Sequence, residues 1–315
     1  MENSTSENSN RLVALSNGIA SAVERAGASV VAVNARPRVA TSGVHWREGV
    51  IVATDHTIKR EEEITVTLPD GRTIPATLVG RDAGTDLAVL KIENTGTKVA
   101  ELDHAAALKV GQLVLAVGRT GEDGVSASLG VISATSGPWR TWRGGQIDAF
   151  VRLDLSIYTG FSGSPLMSAE GNVLGINTSG LARGAGLTIP ASTVNRVVDA
   201  LLARGRIARA YIGVGMHHAV RLPDSLKAKL NLPNDSGVIV LSVEPNGPAD
   251  NAGMLVGDIL IALDGAHIND TDNVQTVLTP ERVGTVTKAS IIRGGAAFEL
   301  TMTIGERPQR KRREN

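Results

Sequence analysis

The chain has 315 residues, longer than one typical domain, and 42% of them are apolar, enough for a sizeable core, so two domains are expected. Lysine plus arginine and aspartate plus glutamate stand at 32 each, a balance that argues against an electrostatic nucleic-acid or membrane-surface binder and for partners recognised by shape and backbone. Cysteine is absent, which excludes disulfides, thiolate metal sites and cysteine catalysis together, and 35 glycines against three Trp, two Tyr and three Phe point to tight turns and short strands.

Met1 to Asn10 is rich in Ser, Asn and Glu with no basic n-region, and the residues after Asn10 are too polar for a signal-peptide core. No stretch approaches the roughly 18 to 20 apolar residues of a membrane span. The expectation is a polar, helical segment over 1–28 and a soluble, cytoplasmic protein, with a periplasmic or exported one as the alternative if a leader is missing.

From Ser29 to about Pro190 short apolar runs alternate with turn signals, the pattern of an all-β barrel or sandwich. Ile64, Val66 and Leu68 alternate with threonines up to Pro69-Asp70-Gly71-Arg72, after which Ile74 and Ala76 resume, predicting a hairpin. Further strands are expected at Leu87 to Ile92, Leu113 to Val117, Val125 to Ile132, Ala149 to Leu155 and Val173 to Ile176. Val194, Val197, Val198, Leu201 and Leu202 then recur at helical spacing, with Ser192 or Thr193 as N-cap and Gly205 as terminator. That helix closes a first domain over 29–205, and the basic segment Arg204 to Ala210 is the candidate linker. A second domain over 208–305 should have strands at Gly237 to Val243, Asp258 to Leu263, Thr287 to Arg293 and Phe298 to Ile304, with short helices around Ala249 to Ala252 and Asp272 to Leu278. The tail over 306–315, with Arg310, Lys311, Arg312 and Arg313, reads as a solvated end rather than a localisation or anion-binding signal.

Chemistry concentrates in the octet Thr159-Gly160-Phe161-Ser162-Gly163-Ser164-Pro165-Leu166, a small-residue turn between apolar strands with Ser162 at its apex. A serine hydroxyl is a poor nucleophile at neutral pH, so catalysis there needs a base, an orienting carboxylate and oxyanion donors. Of the six histidines, His56 follows the apolar run Gly49 to Ala53, where a strand ends and a loop begins; His45 reads as a surface-loop residue, and His104, His217, His218 and His267 lie in polar or second-domain contexts. His56 is the best base. Asp86 immediately precedes a strand apolar on both faces, which would bury its carboxylate, whereas Asp82 is more loop-like. Gly160 lets the backbone turn so that its amide and that of Ser162 converge on one oxygen.

These segments, Gly49 to His56, Thr85-Asp86-Leu87-Ala88-Val89-Leu90-Lys91-Ile92 and the octet, resemble the HtrA/Deg family of trypsin-like serine proteases, and the second unit resembles that family's PDZ domain. The resemblance implies a mainly β fold, a chymotrypsin-like double β-barrel followed by a PDZ domain. It also implies the catalytic triad His56, Asp86 and Ser162, with an oxyanion hole from the amides of Gly160 and Ser162. The strand containing Asn177, Thr178 and Ser179 would pair with the substrate backbone beside a specificity loop over Leu181 to Gly186. With no acidic side chain near Gly186 and Leu187, cleavage is expected after small or medium aliphatic residues. Trp139, Arg140, Trp142 and Arg143 lie in the polar loop Thr135 to Gln146, which in the family senses activating signals; a solvated hairpin end is the equal alternative. Tyr211-Ile212-Gly213-Val214 matches the loop whose amides capture a C-terminal carboxylate, and a peptide would add as a strand beside Gly213 to Met216, against the helix bearing Val274, Val277 and Leu278. Gly247-Pro248-Ala249, Ala252-Gly253 and Gly257-Asp258-Ile259-Leu260 strengthen the PDZ assignment.

The expected partners are therefore unfolded or exposed polypeptides and C-terminal peptides, with no nucleic acid, no metal and no cofactor; the family implies a homotrimer, although residues 1–45 carry no aromatic. The family usually has Asn before the serine and two glycines after it, where this chain has Phe161, Gly163 and Ser164, and commonly has Asn-Pro where it has Tyr158-Thr159. Phe161 either packs into the core and locks the loop or favours a collapsed hole with a carbonyl in a donor's place. The first reading is an ATP-independent serine endopeptidase; the second is a PDZ scaffold or chaperone that binds peptides without turnover.

Overall fold

The computed structural model describes residues 2–93, 96–103, 108–121, 124–182, 184–233 and 235–307. His104 and the four basic residues of the tail lie outside the described residues. The chain divides into two compact units, Met1–Ile207 and Ala208–Asn315.

In the first unit helix α1 (Glu2–Gly27) precedes β1 (Val30–Asn34), β2 (Thr41–Arg47), β3 (Val50–Thr54), β4 (Thr65–Thr67), β5 (Thr73–Pro75), β6 (Thr77–Asp82) and β7 (Leu87–Lys91). These seven form one sheet in the order β5-β4-β1-β2-β3-β7-β6, and β4 pairs with β5 as the predicted hairpin. Next come β8 (Leu113–Gly118), β9 (Ser126–Ser136), β10 (Trp139–Arg140), β11 (Gln146–Ile147), β12 (Phe150–Asp154), β13 (Pro165–Met167), β14 (Val173–Thr178), β15 (Leu187–Pro190) and helix α2 (Ala191–Arg204). All of these strands except the β10-β11 pair close a barrel in the order β12-β15-β14-β13-β8-β9.

β7 shows why the most apolar run lacks alternation. Leu87 and Val89 join a cluster with Trp46, Val52, Val117 and Ile176, while Ala88 and Leu90 join Val33, Ile51 and Val66 inside the first sheet. A strand buried on both faces reads as a continuous apolar run. Ile74 and Leu78, from strands at opposite ends of the sheet order, rest on the same inner cluster, so the sheet rolls around its core. The barrel has its own interior of Val114, Ile132, Val151, Leu153, Leu166 and Leu174.

Helix α2 buries Val194, Val197, Val198 and Leu201 and ends at Gly205 with φ 69°, as its spacing predicts. Leu202 faces solvent. The start differs from expectation: the N-cap is Pro190, with no side-chain cap bond. Thr193 is buried, and its hydroxyl accepts from the Asp148 amide at 2.9 Å instead of capping the helix. His45 is also a correction. It is buried in β2, where Nε2 accepts the Gly49 amide at 3.2 Å and Nδ1 donates to the Lys98 carbonyl at 3.2 Å. Burial lowers its pKa, outweighing the backbone contacts that raise it. Both its nitrogens are thereby used by the fold.

The second unit runs β16 (Ala210–Tyr211), β17 (Val214–Arg221), α3 (Asp224–Leu230), β18 (Ser236–Val243), α4 (Pro248–Asn251), β19 (Ile259–Leu263), β20 (Ala266–His267), α5 (Thr271–Val277), β21 (Val286–Arg293), β22 (Ala296–Thr303) and β23 (Gly305–Glu306). Its main sheet, β17-β18-β19-β21-β22, leaves β17 on an edge, and α5 packs against that strand. Helix α3 has no clear sequence signal because two turns hold too few apolar residues to show a period.

Asp258 explains the Gly257-Asp258 signature. Its buried carboxylate accepts Arg293 Nε at 2.8 Å, Arg293 Nη2 at 2.7 Å and the Leu255 amide at 2.8 Å. Burial pushes the carboxyl up, but the Arg293 fork and the Leu255 amide outweigh it and hold the group below the usual aspartate range. A depressed folded pKa contributes stability that is present above the unfolded value and lost as pH falls through the folded one. Asp258→Asn should therefore destabilise this unit by about 2 kcal/mol at pH 7, with the gap from wild type closing below about pH 4 in denaturant melts; a gap that is constant with pH would refute the assignment.

Candidate active site

His56 sits in the one-turn 3-10 helix Asp55–Thr57 that ends β3. Arg81 pins that turn: its guanidinium donates to Asp55 Oδ1, to the Asp55 carbonyl at 2.9 Å and to the Ile58 carbonyl at 3.1 Å. Asp86 opens β7 from a left-handed conformation, φ 59°. Asp82 builds the turn that puts it there, accepting the Gly84 amide at 3.1 Å, the Thr85 amide at 3.0 Å and the Thr85 hydroxyl at 2.7 Å. Of the two candidate carboxylates, Asp82 is thus spent on backbone geometry. Asp86 meets the histidine: Oδ1 accepts the His56 amide at 2.9 Å, and Oδ2 accepts His56 Nδ1–H at 2.8 Å. The Thr178 hydroxyl donates to the same Oδ2. Asp86 is buried, while the His56 side chain remains 29% exposed. With Nδ1 donating to the carboxylate, Nε2 is the nitrogen left to accept a proton.

Ser162 lies in the loop between β12 and β13. Its Oγ is 3.0 Å from Ser179 Oγ and accepts the Ser179 amide at 3.3 Å; it makes no hydrogen bond to His56. The structure thus brings His56 and Asp86 together directly and reaches Ser162 through the segment Thr178-Ser179, which touches both halves.

The octet is held from several sides. The Phe161 amide donates to the Tyr158 carbonyl at 2.9 Å, the Ser164 amide to the Phe161 carbonyl at 2.9 Å, and the Gly163 amide to the Asn177 carbonyl at 2.9 Å. The Gly160 carbonyl accepts both the amide and the hydroxyl of Ser42, each at 2.8 Å. Gly160 has φ 91°, where side chains are strained, and a Cβ there would lie 2.4 Å from Thr120 Cγ2. Among the described residues no acceptor faces the amides of Gly160 or Ser162. Phe161 is 2% exposed, edge-on to Tyr158 at 5.2 Å between centroids, and its ring occupies the space left by Gly118, whose Cβ would come within 2.7 Å of it. Of the two behaviours open to Phe161, the structure has the packed one. Ser164 is fully buried and accepts Asn177 Nδ2 at 3.1 Å.

Asn177, expected in the substrate strand, is committed to the fold on every side: its side chain also bonds the Pro165 carbonyl and the Thr188 hydroxyl, its amide donates to Ser164, and it pairs with Thr188 in β15. It offers no free edge to a substrate, because β14 is an inner barrel strand, paired with β13 on one side and β15 on the other. Gly186 abuts Ile157, whose Cγ1 would lie 2.7 Å from a Cβ there. In the polar loop Trp139 packs edge-on to Phe150 at 5.6 Å, whereas Trp142 is 74% exposed, with the Arg143 guanidinium 4.4 Å from its ring. Thr141 anchors this hairpin by donating to the Gly84 carbonyl at 2.7 Å, two residues before Asp86.

In the second unit Gly213 has φ 77°. The Ile212 carbonyl accepts the Ala249 amide at 2.8 Å and the Gly213 carbonyl accepts the Glu244 amide at 2.7 Å; the amides of Ile212 and Gly213 face no acceptor among the described residues. Tyr211 pairs with Gly305, and Val214 begins the edge strand β17. Val274 and Leu278 are buried beneath it.

Sequence reasoning missed Ser42, Arg81, and the bonds that Thr178 and Ser179 make to Asp86 and Ser162. The partners lie 118, 26, 92 and 17 residues apart, so no local signal marks them.

Comparison with known families places a Trypsin-like peptidase domain on residues 41–176 and a PDZ domain on residues 210–304. A relative from Brucella suis, named probable periplasmic serine endoprotease DegP-like, is 32% identical over 284 residues, which are 88% of this chain and 54% of the relative. A putative serine protease HhoA from Synechocystis is 34% identical over 272 residues, 82% of this chain and 68% of the relative. The crystal structure of the serine endoprotease from Yersinia pestis superposes with a TM-score of 0.75 at 32% identity, covering 91% of this chain and 97% of that one. The chain spans about half the length of the periplasmic relatives it matches. Their name overturns the cytoplasmic expectation and points to the periplasm. That expectation rested on polar residues at the start and on the lack of a long apolar run, features an exported domain shares. No helix among the described residues is long and apolar enough to cross a membrane.

Proposed function

This chain belongs to the HtrA family of trypsin-like serine proteases, a protease domain followed by a PDZ domain, and we propose that it hydrolyses peptide bonds of unfolded or exposed polypeptides through Ser162, His56 and Asp86. The observation that carries this reading is the buried Asp86 carboxylate bound to His56 Nδ1, which leaves Nε2 free to act as a base.

The chemistry uses each of these groups in turn. Ser162 Oγ exchanges Ser179 for His56 Nε2, attacks the scissile carbonyl carbon and passes its proton to Nε2. The carbonyl oxygen becomes an oxyanion held by the Gly160 and Ser162 amides, and Asp86 stabilises the imidazolium. Collapse breaks the C–N bond, and His56 gives its proton to the departing amine. Water then attacks the acyl ester, with His56 taking its proton, and Ser162 leaves with that proton to release the acid. The packed Phe161 ring and the Ser42 bonds to Gly160 support a preformed hole, and with it turnover rather than a peptide-binding scaffold.

Ile157 beside Gly186 supports an aliphatic subsite. The free amides of Ile212 and Gly213, next to the β17 edge, support capture of a C-terminal carboxylate with the peptide added as a strand. A homotrimer is read from the family, with the exposed Leu12, Val13 and Leu15 of α1 as apolar contact surface. Digestion of a denatured protein, with the products sequenced, should give cuts mainly after Ala, Val, Leu or Ile. Cuts after Lys or Arg would overturn the subsite, and no cuts at all the activity. Sedimentation equilibrium of the same preparation gives the mass of a trimer or refutes it.

A further inference from the structure

Arg119 is a buried cation that the chemistry above does not use. It directly follows β8 and is 6% exposed. Among the described residues no carboxylate pairs with it. Its Nε donates to the Val30 carbonyl at 2.8 Å and its Nη2 to the Gly27 carbonyl at 3.3 Å. Gly27 is the last residue of α1, so the guanidinium caps the carbonyl end of that helix, where a cation complements the dipole. Burial lowers its pKa. An uncompensated buried charge is costly, and among the described residues this one is held by backbone carbonyls alone.

The backbone of Arg119 leads to the oxyanion loop. Its amide donates to Ser42 Oγ at 3.0 Å, and Ser42 donates from both amide and hydroxyl to the Gly160 carbonyl at 2.8 Å. Two donors on one carbonyl fix the plane of the peptide that joins Gly160 to Phe161, between the two proposed hole amides. The neighbours of Arg119 shape the same loop: Gly118 makes room for the Phe161 ring, and Thr120 Cγ2 fills the space that a side chain at position 160 would need. Residues 118–120 are thus a cradle for residues 160–161, and the Arg119 side chain ties that cradle to the end of α1 and the start of β1.

We propose that Arg119 is a positioning residue for the oxyanion hole, clamping the end of α1 and, through Ser42, setting the orientation of the Gly160 peptide. The proposal rests on the reading of Ser162 as the nucleophile. It places the N-terminal helix in the support of the active site, so that a change at the end of α1 alters turnover without touching the triad.

The test uses the full chain as wild type, Arg119→Met, Arg119→Lys and Ser42→Ala. Fluorophosphonate acylation rates, and kcat and KM on a peptide substrate, are measured below every variant's melting transition. A displaced hole donor costs about 10-fold to 100-fold, so Arg119→Met should acylate that much more slowly and lose kcat with KM unchanged, and Arg119→Lys should recover part of the loss. Ser42→Ala keeps Arg119 and removes one donor from the Gly160 carbonyl; it should also slow acylation, and it carries the test if Arg119→Met fails to fold. Wild-type acylation in folded Arg119→Met overturns the proposal whatever its melting temperature, as does wild-type acylation in Ser42→Ala should Arg119→Met not fold. A wild type that takes up no probe overturns the nucleophile assignment, and this inference with it.

Discussion

Ser162→Ala should abolish fluorophosphonate labelling and lower kcat on a peptide substrate by about a millionfold while the protein stays folded. The size reflects what is lost. Without the hydroxyl no acyl ester can form, and His56 and Asp86 have no proton to move, so removing the nucleophile costs about as much as removing the triad. Binding survives, as do the amide donors at Gly160 and Ser162, which the substitution leaves in the backbone. Stability should change by less than about 1 kcal/mol, because among the described residues the hydroxyl bonds Ser179 alone, which can turn to water. Labelling that persists in the variant would place the nucleophile elsewhere. A folded wild type that never labels would favour a peptide-binding scaffold.

Asp86→Asn should lower kcat by about 10,000-fold with KM near the wild-type value. Three donors converge on this carboxylate: the His56 amide, His56 Nδ1–H and the Thr178 hydroxyl. An asparagine supplies one acceptor and one donor in the same space, so its NH2 group must face one of those donors. If it faces the ring, Nδ1 becomes the acceptor and the proton moves to Nε2, the nitrogen that has to receive the serine proton. Asparagine is the right probe because the position has φ 59°, a left-handed conformation that Asn tolerates and most side chains do not. Alanine would add backbone strain to the chemical loss. Thermal melts should show a folded protein, destabilised by about 1–3 kcal/mol for the mismatched buried donor. Retention of a tenth of the activity or more would mean that Asp86 does not orient the base.

Much of this site is legible in the linear chain, for reasons that differ residue by residue. His56 stands out because it follows a five-residue apolar run, and Asp86 because it precedes another; strand ends advertise themselves through hydrophobicity. Between Asp82 and Asp86 the residues alone favour one without deciding. The Asp82 carboxylate accepts from Gly84 and Thr85 and so shapes a local turn, while Asp86 reaches the histidine 30 positions away. His45 is deceptive because a polar residue inside a short strand looks like a loop residue until its bonds to Lys98 and Gly49 are seen.

The role of Phe161 shows the same division. Composition around it, a bulky ring among glycines and serines, admits both a packed and a collapsed loop. The choice lies with Gly118, far earlier in the chain, which supplies the vacant volume, and with Ser42, which takes up the Gly160 carbonyl. Asn177 is a further instance: a strand register puts it opposite Thr188 and fills its amide group, which turns an expected substrate contact into a tie within the barrel.

Local sequence is enough to specify the mainly β architecture, the helix that closes the first unit, and the identities of the candidate nucleophile and base, because burial periodicity and turn chemistry act over a few residues. It does not specify which carboxylate meets the histidine, that Ser162 rests on Ser179, that Phe161 is packed, or that Arg119 and Ser42 brace Gly160. Those outcomes belong to the closed fold, since they depend on hydrogen bonds and shared volume between strands far apart in the chain, and such contacts exist only once the sheets have closed.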